Sequence, residues 1–479
     1  MRTHAKLVLA LPLTLWLAGC SLAPETVRPE TGVASAWPAS AGPVMAADQK
    51  AAAIAWQEFF RDPALKGLIE RALANNANLE EAVANVERAR AQYRISRSDL
   101  LPKLNAGVSA SRQGVPAASA ATGRSMVTEQ YQANLGITAF ELDFFGRVRN
   151  LSDAALQSFL ATEQAQRSTQ LSLVAEVANA WLTLLSDKAL LRLTDDTLKA
   201  QQESYDLIKI GFDRGVRTQL ELSQARTTLE TARANHALYR RQVDQDINAL
   251  AVLVGGPVDA GQATLAAEDG IYMLPDLPGG LPSDLLVHRP DVLQAEYSLR
   301  SANANIGAAR AAFFPSISLT SSIGTVSGSL SNLFDSGTKA WSVAPSATLP
   351  IFDFGANEAN LGVAKANRDI AVAQYRQTVR TAFQEVANGL AARGTLTDQL
   401  RAQEGLVAAT QSSFDLSRAR YERGVDDYLT VLDSQRALYT AQQNLISVRL
   451  LRLSNLVTLY KVLGGGTLAG GTATVDSIP

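Results

Sequence analysis

Two kinds of hydrophobic pattern follow one another along the chain, and they occur twice in the same order. Each pass starts with a helical segment rich in Ala, Arg and Glu, continues through two segments of alternating apolar and polar residues, and ends in two long helical segments. A period of two predicts strands with one apolar face, and 3–4 spacing predicts helices. The sequence therefore predicts a mixed α and β fold built as an internal tandem repeat.

The two copies share residues as well as periodicity. Three pairs of segments align: Asn78 to Leu104 with Asp291 to Ile317, Glu176 to Leu182 with Glu385 to Ala391, and Gly211 to Leu229 with Arg420 to Leu438. The offset between the copies changes after the first pair, and this predicts an exposed loop, where insertions are tolerated. Between the copies, residues 255–290 are rich in Gly and Pro and predict a linker.

The alternating segments predict four strands, joined in pairs by the polar loops Gln113 to Glu129 and Thr325 to Lys339. Each strand has roughly the nine to twelve residues that a tilted strand needs to cross a bilayer. The polar faces consist of Ser, Thr, Asn and Gln with almost no charge, which favours a wet lumen over an ordinary sheet packed on a core. The predicted strands are Leu104 to Ser111, Tyr131 to Ala139, Ser316 to Ile323 and Trp341 to Ile351.

The helical segments differ greatly in length. A helix of roughly 36 Å is predicted over Asn78 to Leu101, where Pro102 ends it, and one of roughly 100 Å over Arg147 to Phe212. The chain then turns back at Gly215-Val216, and at Gly424-Val425 in the second copy, because Gly enters the left-handed region without strain. Apolar residues on two sides of the long helix predict neighbours on both sides, as in a ring of helices. The two stripes are Leu171, Val174, Ala178, Trp181 and Leu185, and Leu173, Val177 and Leu184.

Four strands are too few to close a barrel, for which about eight is the minimum. An open sheet edge in lipid leaves backbone groups unsatisfied at a cost of several kcal/mol each. The chain is therefore expected to oligomerise, with eight strands in a dimer or twelve in a trimer. The periodicity does not choose between them.

The composition excludes several functions. The net charge of −2 argues against a nucleic-acid binder, and three His and one Cys argue against a His/Cys metal site or His-based catalysis. The adjacent acid pairs, such as Asp195-Asp196 and Asp426-Asp427, face apart on a helix. No enzyme and no cofactor are predicted.

The N-terminus predicts export and a lipid anchor. Arg2 and Lys6 precede an apolar segment that is interrupted by Pro12 and too short to span a membrane. It ends in Leu17-Ala18-Gly19-Cys20, which resembles a bacterial lipobox and implies cleavage before Cys20, S-diacylglycerol on its sulfur and an acyl chain on its amine. An ordinary export signal with a buried or reactive Cys is the alternative. By resemblance to enterobacterial sorting, Ser21 directs the lipoprotein to the outer membrane.

Several motifs together resemble the outer membrane factor family, in its TolC-like lipoprotein branch serving resistance–nodulation–division (RND) tripartite efflux pumps. The resemblance implies a trimer, with a twelve-stranded outer-membrane β-barrel that continues into a periplasmic α-helical coiled-coil barrel with an equatorial belt. Besides the repeat and the lipobox, the motifs are Trp56-x-x-Phe59-Phe60-x-Asp62, Glu141-Leu142-Asp143-x-Phe145-Gly146-Arg147, Arg289-Pro290-Asp291, Ala311-Ala312-Phe313-Phe314-Pro315 and Gly464-Gly465-Gly466.

With this resemblance the chain is predicted to have six parts. They are a signal peptide at 1–19, an N-terminal equatorial segment at 20–77, repeat 1 at 78–254, an equatorial linker at 255–290, repeat 2 at 291–463 and a C-terminal tail at 464–479.

The resemblance also implies the functional residues. The closed periplasmic end of the family is constricted at positions that match Leu429 and Asp433, an apolar ring and an anionic ring in a trimer. The first copy has Leu220 and Gln224 at the corresponding places and so lacks the acid. The turns predicted to contact the adaptor are Arg214, Gly215, Val216, Arg423, Gly424 and Val425. Seam packing for Leu429 and a solvated helix face for Asp433 are the alternatives.

The function that the resemblance implies is a passive exit duct for drugs and other small toxic compounds. Its expected partners are two further copies of the chain, a periplasmic adaptor (membrane fusion) protein, an inner-membrane RND transporter and outer-membrane lipid. Type I protein secretion and metal-ion efflux are alternative functions for the same kind of duct. A lipoprotein that forms a coiled-coil spacer or an adhesion stalk is a third class, which the alternating segments disfavour because a stalk needs no lumen face.

Overall fold

The structure is a computed structural model, and it is described here for residues 21–25, 27–34, 36–37, 51–119, 123–259, 261, 265, 272 and 289–467. Cys20, the predicted signal peptide, most of the predicted linker and most of the predicted C-terminal tail lie outside the described residues.

The order of elements repeats as the sequence predicts. After α1 (Trp56–Phe59) and α2 (Pro63–Asn75), repeat 1 consists of α3 (Ala77–Ser98), β1 (Leu104–Val115), β2 (Met126–Glu141), α4 (Arg147–Asp213) and α5 (Gln219–Val254). Repeat 2 consists of α6 (Pro290–Ala311), β3 (Ser316–Ser327), β4 (Lys339–Thr348), α7 (Ala356–Glu422) and α8 (Tyr428–Val462). The two long helices α4 and α7 have 67 residues each. No helix within the described residues is both long and apolar enough to cross a membrane.

The four strands form one antiparallel sheet in the order β1-β2-β3-β4, with β1 and β4 at its edges. Apolar residues lie opposite one another across it: Leu135 pairs with Ala106 on β1 and with Ile323 on β3, and Ile323 pairs with Trp341 on β4. On the other face, Ser hydroxyls hydrogen-bond from β3 to β4 over 2.8 and 2.9 Å. The predicted division into an apolar and a polar face is confirmed.

The strand ends differ from the sequence prediction. β1 and β2 extend into the segment from Gln113 to Glu129 that was predicted as loop, because Arg112 and Glu129 form a cross-strand ion pair of 3.1 Å that continues the ladder. β4 ends at Thr348 and not at Ile351. Pro350, which has no N–H to donate to a ladder, follows two residues after this end.

A β-bulge in β2 was also missed. The pairing with β3 shifts between Ile137 and Phe140, and Ala139 has a φ of 50°. The Ala139 N–H donates to the Thr320 hydroxyl over 3.1 Å instead of to a carbonyl. Bulges of this kind bend a strand and increase its twist. The first short helix likewise ends at Ser98, before the predicted Leu101, and the next residues continue as a tight turn with i→i+3 hydrogen bonds.

The chain divides into two compact units, each of which draws on both repeats. Among the described residues, unit 1 contains the sheet and the helix segments next to it, within 21–30, Asn85–Glu163 and Gln294–Arg376. Unit 2 contains the remaining described helices and both turns, within Thr31–Ala84, Gln164–Leu293 and 377–467.

The core of unit 2 explains two of the sequence motifs. Phe59 stacks on Tyr460 with ring centroids 4.3 Å apart, and the Tyr460 hydroxyl donates to the Ile54 carbonyl over 2.9 Å. A Cβ on Gly465 would lie 2.4 Å from this ring, so the triple-Gly motif lets the backbone cover it closely. Asp62 caps α2 and accepts a hydrogen bond of 2.8 Å from the Trp181 indole. The aromatic-acid motif and the triple-Gly motif therefore build one cluster.

The Arg289-Pro290-Asp291 motif fixes the start of α6. The Arg289 guanidinium is buried and donates to Asp291 over 2.6 Å, to Glu385 over 2.7 Å and to the Val462 carbonyl over 3.1 Å. The Arg289 side chain thus joins the start of α6 to α7 and to the end of α8. A planar guanidinium with five N–H donors can bind several acceptors at once in this way.

Candidate gate and tip turns

Each long helix ends in the same hydrogen-bonded turn. At both tips a glycine with a φ of 75°, Gly215 or Gly424, follows the helix. The N–H of the next residue, Val216 or Val425, donates over 2.9 Å to the carbonyl five residues before it. This is the Schellman arrangement, in which one left-handed residue closes a helix. The two Gly-Val turns predicted from the sequence are therefore present.

The tips present an apolar side chain next to a cation. Val216 and Val425 are both exposed, as are Arg214 and Arg423 beside them. In the single chain each of these Val side chains is exposed to solvent at the end of a long helix, where another protein can contact it. The six residues predicted to contact an adaptor therefore lie together at two accessible turns.

The second tip is more acidic than the first. Asp426 accepts two hydrogen bonds from Arg420, of 2.6 and 2.8 Å, and Asp427 caps α8 by accepting from the Thr430 hydroxyl over 2.7 Å and from its N–H over 3.0 Å. The hydrogen bonds from Arg420 lower the pKa of Asp426, and those from Thr430 lower the pKa of Asp427. Both carboxylates therefore remain charged at neutral pH. At the first tip the cap is Thr218, in a capping box with Glu221.

The gate candidates lie on one face at the start of α8. Leu429 is the second residue of the helix and Asp433 lies one turn later, so their side chains are neighbours. Both are exposed, and Asp433 contacts Arg436 at 3.3 Å. The neighbouring Tyr428 is instead buried, with its hydroxyl 3.0 Å from the Ser204 hydroxyl. In the single chain Leu429 is thus not a buried seam residue.

Sequence reasoning missed how the two tips pack together. The Arg217 guanidinium lies over the Tyr421 ring at 5.0 Å, and Tyr421 contacts Tyr428 with ring centroids 5.5 Å apart. The signal for this contact was the pair of Tyr residues that flank the second Gly-Val turn. A groove of about 550 Å³ lies between the tips and includes Leu220, Gln224 and Leu429.

A family model for outer membrane efflux proteins matches residues 68–256 and 281–465, which is most of the chain and both repeats. The chain belongs to the outer membrane efflux protein family. This match confirms the resemblance that the motifs indicate. Each of the two matched stretches contains one copy of the repeated order of elements. Transport across the outer membrane is what the family is named for.

Curated relatives are similar over nearly their whole length. The probable efflux pump outer membrane protein TtgC of Pseudomonas putida is 49% identical over 464 residues, 96% of each chain. The outer membrane protein OprJ of Pseudomonas aeruginosa is 43% identical over 479 residues, 99% of each. The chain is thus an outer-membrane efflux protein by family, and its predicted outer-membrane location is confirmed.

Solved structures show the same fold. A membrane protein from Pseudomonas aeruginosa is 43% identical with a TM-score of 0.86, over 93% of this chain and 100% of that one. The open-state MtrE outer membrane channel of Neisseria gonorrhoeae is 38% identical with a TM-score of 0.84, over 94% and 99%. The fold class of a TolC-like channel, with a four-stranded sheet and long helices in tandem repeat, is confirmed.

A further group of titratable residues was not found from the sequence. Asp187 on α4 and Asp246 on α5 hydrogen-bond to each other, and the other oxygen of Asp246 is buried without a partner. Burial and the neighbouring Asp187 raise the pKa of Asp246 to about 7, and burial also raises the pKa of Asp187. Adjacent acids on one helix can be read from the sequence, but Asp187 and Asp246 meet because two separate helices bring them together. Among the described residues, no group of three or more His, Cys, Asp or Glu side chains could hold a metal ion.

Proposed function

We propose that the chain is the passive outer-membrane duct of a tripartite RND efflux pump that removes drugs and other small toxic compounds. Relatives with 49% identity include an antibiotic efflux pump outer membrane protein, ArpC, and a toluene efflux pump outer membrane protein, TtgC, both from Pseudomonas putida. Because these relatives are named for antibiotic and toluene efflux, they support small, mostly apolar compounds as the cargo of this chain. A periplasmic adaptor and an inner-membrane RND transporter are the proposed partners, since a duct without an energy source needs a pump to load it. Neither catalysis nor a cofactor is part of the proposal.

The observation that carries the proposal is the sheet with two different faces and two open edges. Trp341, Val343 and Val108 are exposed on one face, and Ser and Asn residues occupy the other. Exposed apolar side chains on one face suit lipid, and the uncharged polar face suits a water-filled lumen. The edges β1 and β4 must pair with other copies in lipid. In a homotrimer, which the family resemblance implies, the edges of three sheets would pair and close a barrel of twelve strands.

The proposed route starts at the tips and ends outside the cell. Three copies of Leu429 would line the narrowest part with apolar groups that exclude water, and three copies of Asp433 would set a preference for cations. The adaptor would bind the exposed Arg-Gly-Val turns, because each turn offers a cation and an open Val side chain. Opening then needs only a shift of the tips, which meet through Arg217, Tyr421 and Tyr428.

Replacing Leu429 with Ser is expected to raise single-channel conductance severalfold, because a polar lining admits water to the constriction. Asp433→Ala should lower the preference for cations. The measurement is conductance and reversal potential in planar bilayers. Leu220→Ser is the matched control, since it makes the same change at the first tip. If all of these proteins conduct alike and with the same selectivity, the gate lies elsewhere.

Acylation of Cys20 is the second part of the proposal, and it rests on the lipobox. Mass spectrometry of the mature N-terminus should show three acyl chains, which at roughly 0.8 kcal/mol per buried methylene hold the chain firmly to a membrane. Cys20→Ala should lose this mass and still insert, because the strands supply insertion. An unmodified Cys20 in the natural protein would exclude the anchor.

The proposed function is tested most directly in a deletion strain. Loss of the gene should increase susceptibility to several unrelated drugs and solvents, and the natural gene should restore resistance. Leu429→Ser should also admit compounds without the pump, so that its rescue is incomplete. Unchanged susceptibility with loss of a secreted protein or with accumulation of metal ions would favour the alternatives instead.

A further inference from the structure

The first residues that the structure describes run along unit 1 without forming a helix or a strand. We call residues 21–25 and 27–30 the strap. Its first end is fixed at two places. The Ser21 hydroxyl donates to Oδ1 of Asn150 over 2.9 Å, and the Arg310 guanidinium donates to the Leu22 carbonyl over 3.0 Å. These two contacts fix the point at which the chain continues to Cys20.

Charged side chains hold the strap further along. Glu296 of α6 is only 4% exposed and accepts hydrogen bonds from Arg28 over 3.1 Å and from Arg300. The Arg376 side chain of α7 donates to the Glu30 carbonyl over 3.1 Å. Removing one partner of a buried ion pair leaves an uncompensated charge, which is unfavourable. The strap is therefore a docked segment of unit 1 and not a loose tether.

Asn150, at the start of α4, has one buried polar atom without a partner. The residue is 5% exposed, and while its Oδ1 accepts from Ser21, its Nδ2 is buried without a hydrogen bond. Gly307 of α6 lies beside it, since a Cβ there would lie 2.6 Å from this Nδ2 and 2.8 Å from the backbone nitrogen of Ala23. Buried polar atoms are nearly always hydrogen-bonded. The unpaired N–H donor next to the strap therefore points to an acceptor outside the described residues.

The preceding residue of the chain can supply this acceptor once it is acylated. The Cα atoms of Cys20 and Ser21 are about 3.8 Å apart, as across any trans peptide bond. A free amino terminus at Cys20 is an ammonium group at neutral pH, which carries donors only. N-acylation turns it into an uncharged amide, and the carbonyl oxygen of an amide is a strong acceptor.

We propose that Asn150 and Gly307 form a binding site for the N-acylated amino terminus of this chain, in which Nδ2 of Asn150 donates to the carbonyl oxygen of the acyl amide on Cys20. Gly307 leaves room for this amide, and Arg310 holds the strap in register through the Leu22 carbonyl. The inference rests on the proposed acylation of Cys20 and adds a protein site that recognises its product. The strap then docks fully only after the amine has been acylated.

The site distinguishes the two forms of the amino terminus by their donors and acceptors. With a free amine, the donors on Cys20 face the Nδ2 donor of Asn150. If the Asn150 amide turns its oxygen toward the amine, Ser21 loses its acceptor. With an acyl amide, Asn150 satisfies both neighbours at once. A buried donor left unpaired is unfavourable enough to shift the docking equilibrium of the strap about tenfold.

The test measures the mobility of the strap in the full-length protein in membranes. Val27 is 73% exposed, and a nitroxide label on Val27→Cys reports the ratio of undocked to docked strap. The protein is prepared from ordinary cells and from cells in which N-acylation is blocked. Mass spectrometry verifies three acyl chains in the first preparation, and S-diacylglycerol with a free amine in the second. The ratio should be about tenfold higher with the free amine.

Substitutions at Asn150 should change this preference in a specific way. Asn150→Asp should reverse it, because a carboxylate accepts from an ammonium group and from Ser21 but offers no donor to an acyl amide. Asn150→Leu should leave the strap equally mobile in both preparations. Glu296→Gln is the matched control. It loosens the strap at Arg28, away from Asn150, so it should raise mobility by the same factor with either amino terminus.

Three results would count against the site. Equal mobility of the natural strap in the two verified preparations would overturn it and leave the acylation of Cys20 intact. A preference for the acylated end that persists in Asn150→Asp would place the recognition at another residue. If mass spectrometry finds no acyl chain on Cys20 in the protein from ordinary cells, the proposed acylation fails, and the site fails with it.

Discussion

Replacing Trp181 with Ala is expected to lower the stability of unit 2 by about 3–5 kcal/mol, the range found when a large aromatic side chain is removed from a packed core. Trp181 is 2% exposed and lies in the cluster that includes Phe59 and Tyr460. Its removal also leaves Asp62 without the indole hydrogen bond of 2.8 Å. Hydrogen–deuterium exchange of the α4 amides near Trp181 should show the loss as faster local opening.

Trp181→Phe separates packing from hydrogen bonding. It keeps most of the apolar volume and removes the indole N–H, so it should cost about 1.5–3 kcal/mol, the value of a hydrogen bond to a charged group. The tip turns should exchange as before in both variants, because they lie far along the helices. Equal protection in the natural protein and in Trp181→Ala would mean that this cluster does not hold unit 2 together.

Asp246→Asn is expected to stabilise the α4–α5 contact at pH 8. Two carboxyls that hydrogen-bond to each other share a proton, and at high pH both become charged at close range. The rise in the pKa of Asp246 from 3.8 to about 7 corresponds to a few kcal/mol, which solvent screening of this half-buried pair reduces to about 2 kcal/mol. An amide removes the repulsion and still donates to Asp187.

The pH dependence has a definite sign. The folded pKa of Asp246 lies above its unfolded value, so the folded state binds more protons, and the natural protein loses local stability as pH rises from about 4 to about 7. Hydrogen exchange around Asp187 and Asp246 should therefore quicken over this range in the natural protein and stay level in Asp246→Asn, after correction for intrinsic exchange. Asp244→Asn, at an exposed position on the same helix, is the control and should behave like the natural protein. A level profile in both would refute the shared proton.

The sequence predicted the features that local periodicity determines. The alternation of Leu104, Ala106 and Val108 with polar residues placed β1 and its lipid-facing side, and Gly215 and Gly424 placed the turns because few other residues adopt that backbone conformation. Strand ends were less predictable. The ion pair of Arg112 with Glu129 and the bulge at Ala139 depend on which strand lies opposite, and a single segment does not contain that information.

The candidate site was predictable to a similar degree. Motifs placed Leu429 and Asp433 next to each other near a turn, and the structure shows both exposed there. Contacts between distant segments were missed, including Arg217 over Tyr421 and the pairing of Asp187 with Asp246. These arise when separate helices pack, and residue spacing on one helix does not report on another.

The bulged pairing of β2 with β3 has a consequence for how the chain folds. The hairpins β1-β2 and β3-β4 close locally, but β2 meets β3 only after about 190 further residues have been made, and closing so long a loop is slow compared with forming a hairpin. During this interval the backbone N–H and C=O groups on both outer edges of the first hairpin have no hydrogen-bond partners. Unpaired strand edges of this kind tend to pair with other chains. We expect that holding partners in the periplasm bind the first hairpin during that interval, and that the second hairpin then covers the open side of β2 and leaves β1 and β4 to pair with other copies.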